Sequence, residues 1–225
     1  MRLFRSWQSK KLLPDQPAWV KDYWERTRLI STRTPLREVE FLVLDLEATG
    51  LDIYKDRIIS FASVPVHNFE IHASDSFACY VNQSYFDRQS ILIHGLLPRD
   101  IENGIPEKKF LETIIPMFAG KVIVGHHIGY DIAMINQAIG RHFKFELVNP
   151  VIDTGDLYKK TFPSKFAYNR YRDSYPTLDE IAQDFEIKTH FRHSAMGDAM
   201  ITAFVFMKLW KRAEQEQKFK LKHLL

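Results

Sequence analysis

The sequence predicts an α/β fold in which a mixed β-sheet is covered by helices. Three observations predict it. Strand-length apolar runs cluster between residues 41 and 81, where they read as an antiparallel meander. From about residue 106 onward, strands alternate with helical periodicity, the pattern that lays helices over a sheet. Hydrophobic residues make up 45% of the 225 and charged residues 26%, so one ordinary domain with a substantial core is expected and disorder is not.

Residues 1–36 form a distinct opening segment. Asp15-Gln-Pro17 ahead of Ala18-Trp-Val-Lys-Asp-Tyr-Trp-Glu-Arg reads as a capped helix start with proline in the first turn. Trp19, Val20, Tyr23 and Trp24 give this helix an apolar side, which either packs on the main domain or docks a protein partner. The expected organisation is a helical extension over residues 1–37 and a main domain over residues 38–225.

Within the main domain, residues 41–44 read as a buried strand and residues 57–66 as a second. His67-Asn68 is a turn, residues 69–72 a short return, and residues 75–81 a third β-rich run. Helices are predicted over residues 106–118, 129–140, 154–160, 177–185 and 194–210, with strands over 121–125 and 148–152. Residues 164–175, rich in Tyr, Arg and Ser, read as a loop. The basic run from Lys218 either docks a partner or frays from the last helix, and fraying is the expectation.

The net charge of +3 permits a polyanionic substrate without demanding one. A single cysteine, Cys79, cannot form an intramolecular disulfide, which fits a reducing compartment. No apolar stretch approaches the roughly 18 residues of a membrane span. The first residues are basic without a long apolar region, a poor secretory signal. A cytoplasmic protein with no membrane association is expected.

The chemistry concentrates in five residues. In Phe41-Leu-Val-Leu-Asp45-Leu-Glu47-Ala-Thr-Gly50 an apolar run ends in two acids two residues apart. On a strand both point to one face, and burying two like charges side by side calls for a neutralising cation. Oxygen-only ligands favour a hard ion such as Mg²⁺ or Mn²⁺. Asp131 follows a strand into the first turn of a helix, where an acid alone is no more than a match for the helix dipole. In His193-Ser-Ala-Met-Gly-Asp198 a histidine precedes the long last helix and an acid lies about one turn inside it among small or apolar neighbours.

Taken together these segments resemble the three motifs of the DnaQ-like 3′–5′ exonucleases, in the branch defined by four acids and a histidine. Asp45-x-Glu47-x-Thr49-Gly50 is similar to the D-x-E-x-T-G signature. His126-(x)₃-Tyr130-Asp131 is similar to H-N-x-x-F-D, and His193-x-Ala195-x-x-Asp198 to H-x-A-x-x-D. Val151-Ile-Asp153-Thr154-Gly-Asp-Leu157 resembles the turn after the second motif, and residues 177–185 the helix before the third. The resemblance covers residues 39–211. His127 stands where the family has asparagine, and Tyr130 where it has phenylalanine.

The resemblance implies a ribonuclease H-like fold, with a five-stranded mixed sheet flanked by helices. It implies two Mg²⁺ or Mn²⁺ ions held by Asp45, Glu47, Asp131 and Asp198, with His193 as general base on the attacking water. It implies release of nucleoside 5′-monophosphates from the 3′ ends of single-stranded nucleic acid, DNA favoured over RNA. Backbone around Ala48, Thr49 and Gly50 would meet the terminal nucleotide, with Leu51 either an apolar wedge or a plain core leucine. His126 either faces the scissile region or is structural. The short stretch after residue 210 makes a repair or trimming role a better expectation than a dedicated replicase role. The alternatives are an exoribonuclease of the same chemistry, a catalytically silent nucleic-acid-binding module, and a small-molecule phosphatase. The remaining histidines, His67, His72, His94, His142 and His190, are read as packing or surface.

Overall fold

A strand at the centre of the sheet sorts its side chains between two layers of helices, and that sorting places the site. Strand β1 (Phe41–Ala48) carries Phe41 and Val43 on one face and Leu42, Leu44 and Leu46 on the other, in keeping with the two-residue period of a strand. The structure is a computed structural model that describes residues 15–83, 95–167 and 175–225.

Around β1 lie β2 (Ile58–His67), β3 (Glu70–Ile71), β4 (Phe77–Asn82), β5 (Ile105–Pro106), β6 (Val122–Gly125) and β7 (Val151–Asp153). The sheet order is β5-β4-β2-β1-β6-β7, with β3 paired to β2. Strand β2 runs antiparallel to β1, β3 and β4, β5 runs parallel to β4, and β6 and β7 continue the sheet in parallel with β1. The expected mixed sheet is therefore present as a ribonuclease H-like arrangement, with the two-residue β3 and β5 as additions. A register shift opposite Glu47 and Ala48 turns Ile58 onto the same face as Phe61. Bulges of this kind re-aim side chains at strand ends.

Helices α1 (Ala18–Arg28), α3 (Glu107–Phe118) and α4 (Ile128–His142) cover the face of Leu42, Leu44 and Leu46; the one-turn α2 (Pro98–Ile101) precedes β5. Helices α5 (Thr154–Thr161), α7 (Leu178–Asp184) and α8 (Ala195–Gln215) cover the face of Phe41 and Val43. Here Phe41 packs against Phe206 and Trp210, with ring centroids 4.9 and 5.2 Å apart. Phe41 and Trp210 are fully or almost fully buried, so these contacts anchor the long helix to the central strand.

The apolar side of α1 is spent on the domain. Val20, Tyr23 and Trp24 are buried in the same cluster as α3 and α4, and Trp19 meets Phe143 edge-on at 5.1 Å. Tyr23 donates its hydroxyl proton to Asn149 Oδ1 at 2.6 Å and accepts from the Val148 N–H at 2.8 Å. Asn149 in turn donates to the carbonyls of Phe118 and Lys121. A partner surface on residues 1–36 therefore does not rest on these rings; residues 1–14 of the segment lie outside the described residues.

Two readings are corrected. The C-terminal run does not fray: the Leu221 and Lys222 N–H groups donate to the carbonyls of Thr34 and Thr32, Leu36 N–H donates to Phe219 O, and Leu221 and Leu224 are buried. A basic and apolar alternation shows in sequence, but its partner 180-odd residues away does not. Residues 164–175 are not all loop, because α6 (Pro163–Ala167) opens on a proline suited to a first helical position. Residues 168–174 of that reading, and His94, lie outside the described residues. No helix among the described residues is long and apolar enough to cross a membrane.

Tyr23→Phe should lower stability by about 1–3 kcal/mol, because it orphans a buried N–H and a buried amide oxygen. Thermal melting is expected to fall by roughly 3–10 °C. An unchanged melting temperature would mean that α1 is peripheral to the fold.

Candidate active site

Asp45 and Glu47 continue the Phe41 and Val43 face of β1, so the strand delivers them toward α8. Helix α8 begins at the Ser194 cap, whose hydroxyl accepts from Gly197 N–H at 3.3 Å, and carries Asp198 in its first turn. A carboxylate there is favoured by the helix dipole. Asp45, Glu47 and Asp198 each offer an oxygen within 4.8 Å of the others.

Asp131 stands in the first turn of α4, buried, with Oδ1 accepting from Leu46 N–H at 3.2 Å. That bond ties the fourth acid to the backbone residue lying between Asp45 and Glu47. Asp131 is outside the group within 4.8 Å, but its charge bears directly on Asp45. The structure thus brings the four acids of the sequence reading to one end of β1. His193 lies in the turn before α8, exposed, with a left-handed backbone (φ 61°), and is not part of the carboxylate group.

Crowding shows in the protonation of these groups. Burial, followed by the negative charges of Asp131, Asp198 and Glu47, pushes Asp45 well above the usual carboxylate range, while Arg192 opposes the rise. Burial and then Asp198 raise Glu47 to about 7, again opposed by Arg192. Burial raises Asp131 against the two backbone N–H groups that favour its charged form.

Around this cluster the turn after β1 is pinned by a residue that sequence reading missed, Asp56. Its Oδ1 accepts from the Thr49 hydroxyl at 2.7 Å and its Oδ2 from Asp52 N–H at 2.8 Å. Thr49 is fully buried, its N–H donates to Arg57 O, and its hydroxyl accepts from Arg57 N–H. Its side chain therefore serves the turn. A Cβ on Gly50 would lie 2.6 Å from Asp56 Oδ2, which explains the glycine. Gly50 O accepts from the Tyr130 hydroxyl, a bond a phenylalanine could not make. Ala48 is half-buried at the end of β1, and Leu51 is 81% exposed, which removes the core-leucine alternative.

His126 hydrogen bonds through Nδ1 to Thr154 Oγ1 at 3.0 Å, and burial, aided by the charges of His127 and Arg192, lowers it to about 4. Next to it His127 caps α4 in the left-handed region (φ 54°), a conformation that Asn, Asp and His adopt more readily than most residues. Its ring lies 3.9 Å from that of Tyr175, centroid to centroid. Tyr175 donates to Asp153, which also accepts from Gly155 N–H at the start of α5 and from Ile128 N–H at the start of α4. The Asp153-Thr154 pair is thus a brace for the turn that carries His126, His127 and Asp131.

The donor set fits a hard divalent cation. Among the described residues the potential ligand atoms that converge are carboxylate oxygens, burial penalises their shared negative charge, and Asp198 Oδ1 is buried with no hydrogen-bond partner among those residues.

Comparison with known proteins agrees with this geometry. The exonuclease family model matches residues 42–206. The chain is 32% identical over 187 residues to the DNA polymerase III subunit epsilon of Aquifex aeolicus, covering 80% of this chain and 85% of the relative. It is 29% identical over 182 residues to the PolC-type DNA polymerase III of Caldanaerobacter subterraneus, covering 79% of this chain but 12% of that protein. The fold superposes on E. coli exonuclease I solved with a dT13 oligonucleotide at a TM-score of 0.67 and 18% identity, over 80% of this chain and 43% of that one.

Raised carboxyls make the metal-free protein less stable as pH rises. Between the ordinary carboxyl range and about pH 7 the folded state holds a proton on Glu47 that the unfolded chain has released. That contribution is fully present at low pH and is lost as pH climbs through the folded value, a difference on the order of 3 kcal/mol. In chelator, melting is expected to be lower at about pH 7.5 than at about pH 5. Millimolar Mg²⁺ or Mn²⁺ should raise it more at the higher pH; equal increments at both would contradict the carboxylate site.

Proposed function

The chain belongs to the DnaQ-like exonuclease family, and on that premise we propose that it is a metal-dependent 3′–5′ exonuclease acting on single-stranded DNA. The observation that supports this reading most is the convergence of Asp45, Glu47 and Asp198 on one face, with Asp131 tied to the same strand end. Preference for DNA follows the epsilon-subunit relative, which is similar along most of both chains. The product is a nucleoside 5′-monophosphate.

Asp45, Glu47, Asp131 and Asp198 would hold two Mg²⁺ or Mn²⁺ ions. Those ions, when bound, supply polarisation of the scissile phosphate and a lowered pKa for water. The rest falls to side chains of this chain. His193 accepts the proton of the attacking water on its imidazole and, from its exposed turn, returns it to solvent. Leu51, standing out from the pinned turn, meets the terminal base, and the backbone of Ala48, Thr49 and Gly50 meets the sugar. Tyr130 fixes that turn through Gly50 O, which ties the nucleotide-facing backbone to the helix bearing Asp131.

Release of mononucleotides from matched 3′-labelled single-stranded DNA and RNA tests the reading. DNA is expected to be degraded faster, and chelator to abolish release. Asp45→Ala or Asp198→Ala should remove turnover while the fold is kept. His193→Ala should slow it on the order of 10²–10⁴-fold with metal binding retained. Faster release from RNA would move the assignment to an exoribonuclease, and no release from either to a binding module.

A further inference from the structure

Arg192 is joined to the carboxylate cluster although no motif calls for it. It precedes His193 in the turn between α7 and α8, and its side chain is only 20% exposed. Through Nε and Nη2 it donates to Asp179 Oδ1 and Oδ2 at 2.8 and 3.1 Å, a two-pronged grip on the first turn of α7. Its Nη1 reaches Asp198 Oδ2. Asp198 is 8% exposed, and its other oxygen, Oδ1, is buried with no partner among the described residues.

We propose that Arg192 is a positioning residue for the cation site. Clamped on Asp179, it holds Oδ2 of Asp198 so that Oδ1 is presented to a divalent cation. This inference rests on the reading of Asp45, Glu47 and Asp198 as metal ligands.

Three considerations carry it. The terminal torsion of an aspartate is broad, so a carboxylate left alone samples many orientations, and fixing one oxygen fixes the other. A guanidinium so close to a cation would ordinarily repel it, but Asp179 already matches the charge of Arg192, so the pair adds little net repulsion. The same side chain anchors a turn in which both neighbours, Phe191 and His193, have positive φ (62° and 61°). Residues with a Cβ hold such a conformation only where the surroundings impose it. Arg192 therefore orients one ligand and steadies the turn that carries the general base.

A rival role has the opposite sign. Were Arg192 a place-holder that the cation displaces, weakening it would tighten metal binding. Mn²⁺ titrated calorimetrically into the wild-type protein, Arg192→Gln, Arg192→Lys and Asp45→Asn separates the two, with melting in chelator recorded for each. Arg192→Gln is expected to weaken Mn²⁺ binding by roughly 10–100-fold, the usual cost of losing a partner that orients a ligand. Arg192→Lys should weaken it too, because one ammonium cannot keep the two-pronged grip and reach Asp198; this variant decides the matter if the glutamine variant fails to fold. Unchanged or tighter binding in folded Arg192 variants, with Asp45→Asn impaired, would overturn the proposal alone. Wild-type binding by Asp45→Asn would overturn the ligand reading and the proposal with it.

Discussion

Like charges crowded at the end of one buried strand are the constraint that the rest of the structure answers. Asp45 and Glu47 share a face because a strand repeats every two residues, and Asp198 and Asp131 are brought to the same place by two helices. Without a cation the cluster relieves itself by holding protons, which is what burial and mutual repulsion enforce on Asp45 and Glu47. A folded protein that keeps such an arrangement is built to be completed by positive charge.

The fold supplies the means. β1 lies between an antiparallel neighbour and a parallel one, so its end is fixed from both sides. Helices α4 and α8 each present an acid in the first turn, where the dipole offsets part of the cost of the negative charge. The supporting contacts are polar and specific: Asp56 under the Thr49-Gly50 turn, Asp153 bridging the starts of α4 and α5, and Arg192 between Asp179 and Asp198. Each holds a group that touches the cluster or the backbone beside it.

What could be read from sequence and what could not divides along sequence distance. The period-two acids of β1, the capped start of α8 and the alternation of strands and helices are local patterns, and they located the sheet, its covering helices and the four acids. Asp56 and Arg192 could not be found that way, since an aspartate in a turn or an arginine before a histidine is ordinary until its partner is known. The C-terminal run was misread for the same reason: its hydrogen bonds go to residues 32–36, and nothing near Lys218 announces them. For α1 the apolar side was visible, but the Tyr23–Asn149 bond that decides where it packs joins residues 126 apart.

Diffraction from a crystal soaked in Mn²⁺, with data recorded at the manganese absorption edge, tests the central claim most directly. Anomalous peaks bounded by Asp45, Glu47 and Asp198, with a second peak about 4 Å from the first on the Asp131 side, are expected. A well-phased map with no manganese among these carboxylates would contradict the cation site and, with it, the mechanism built on it.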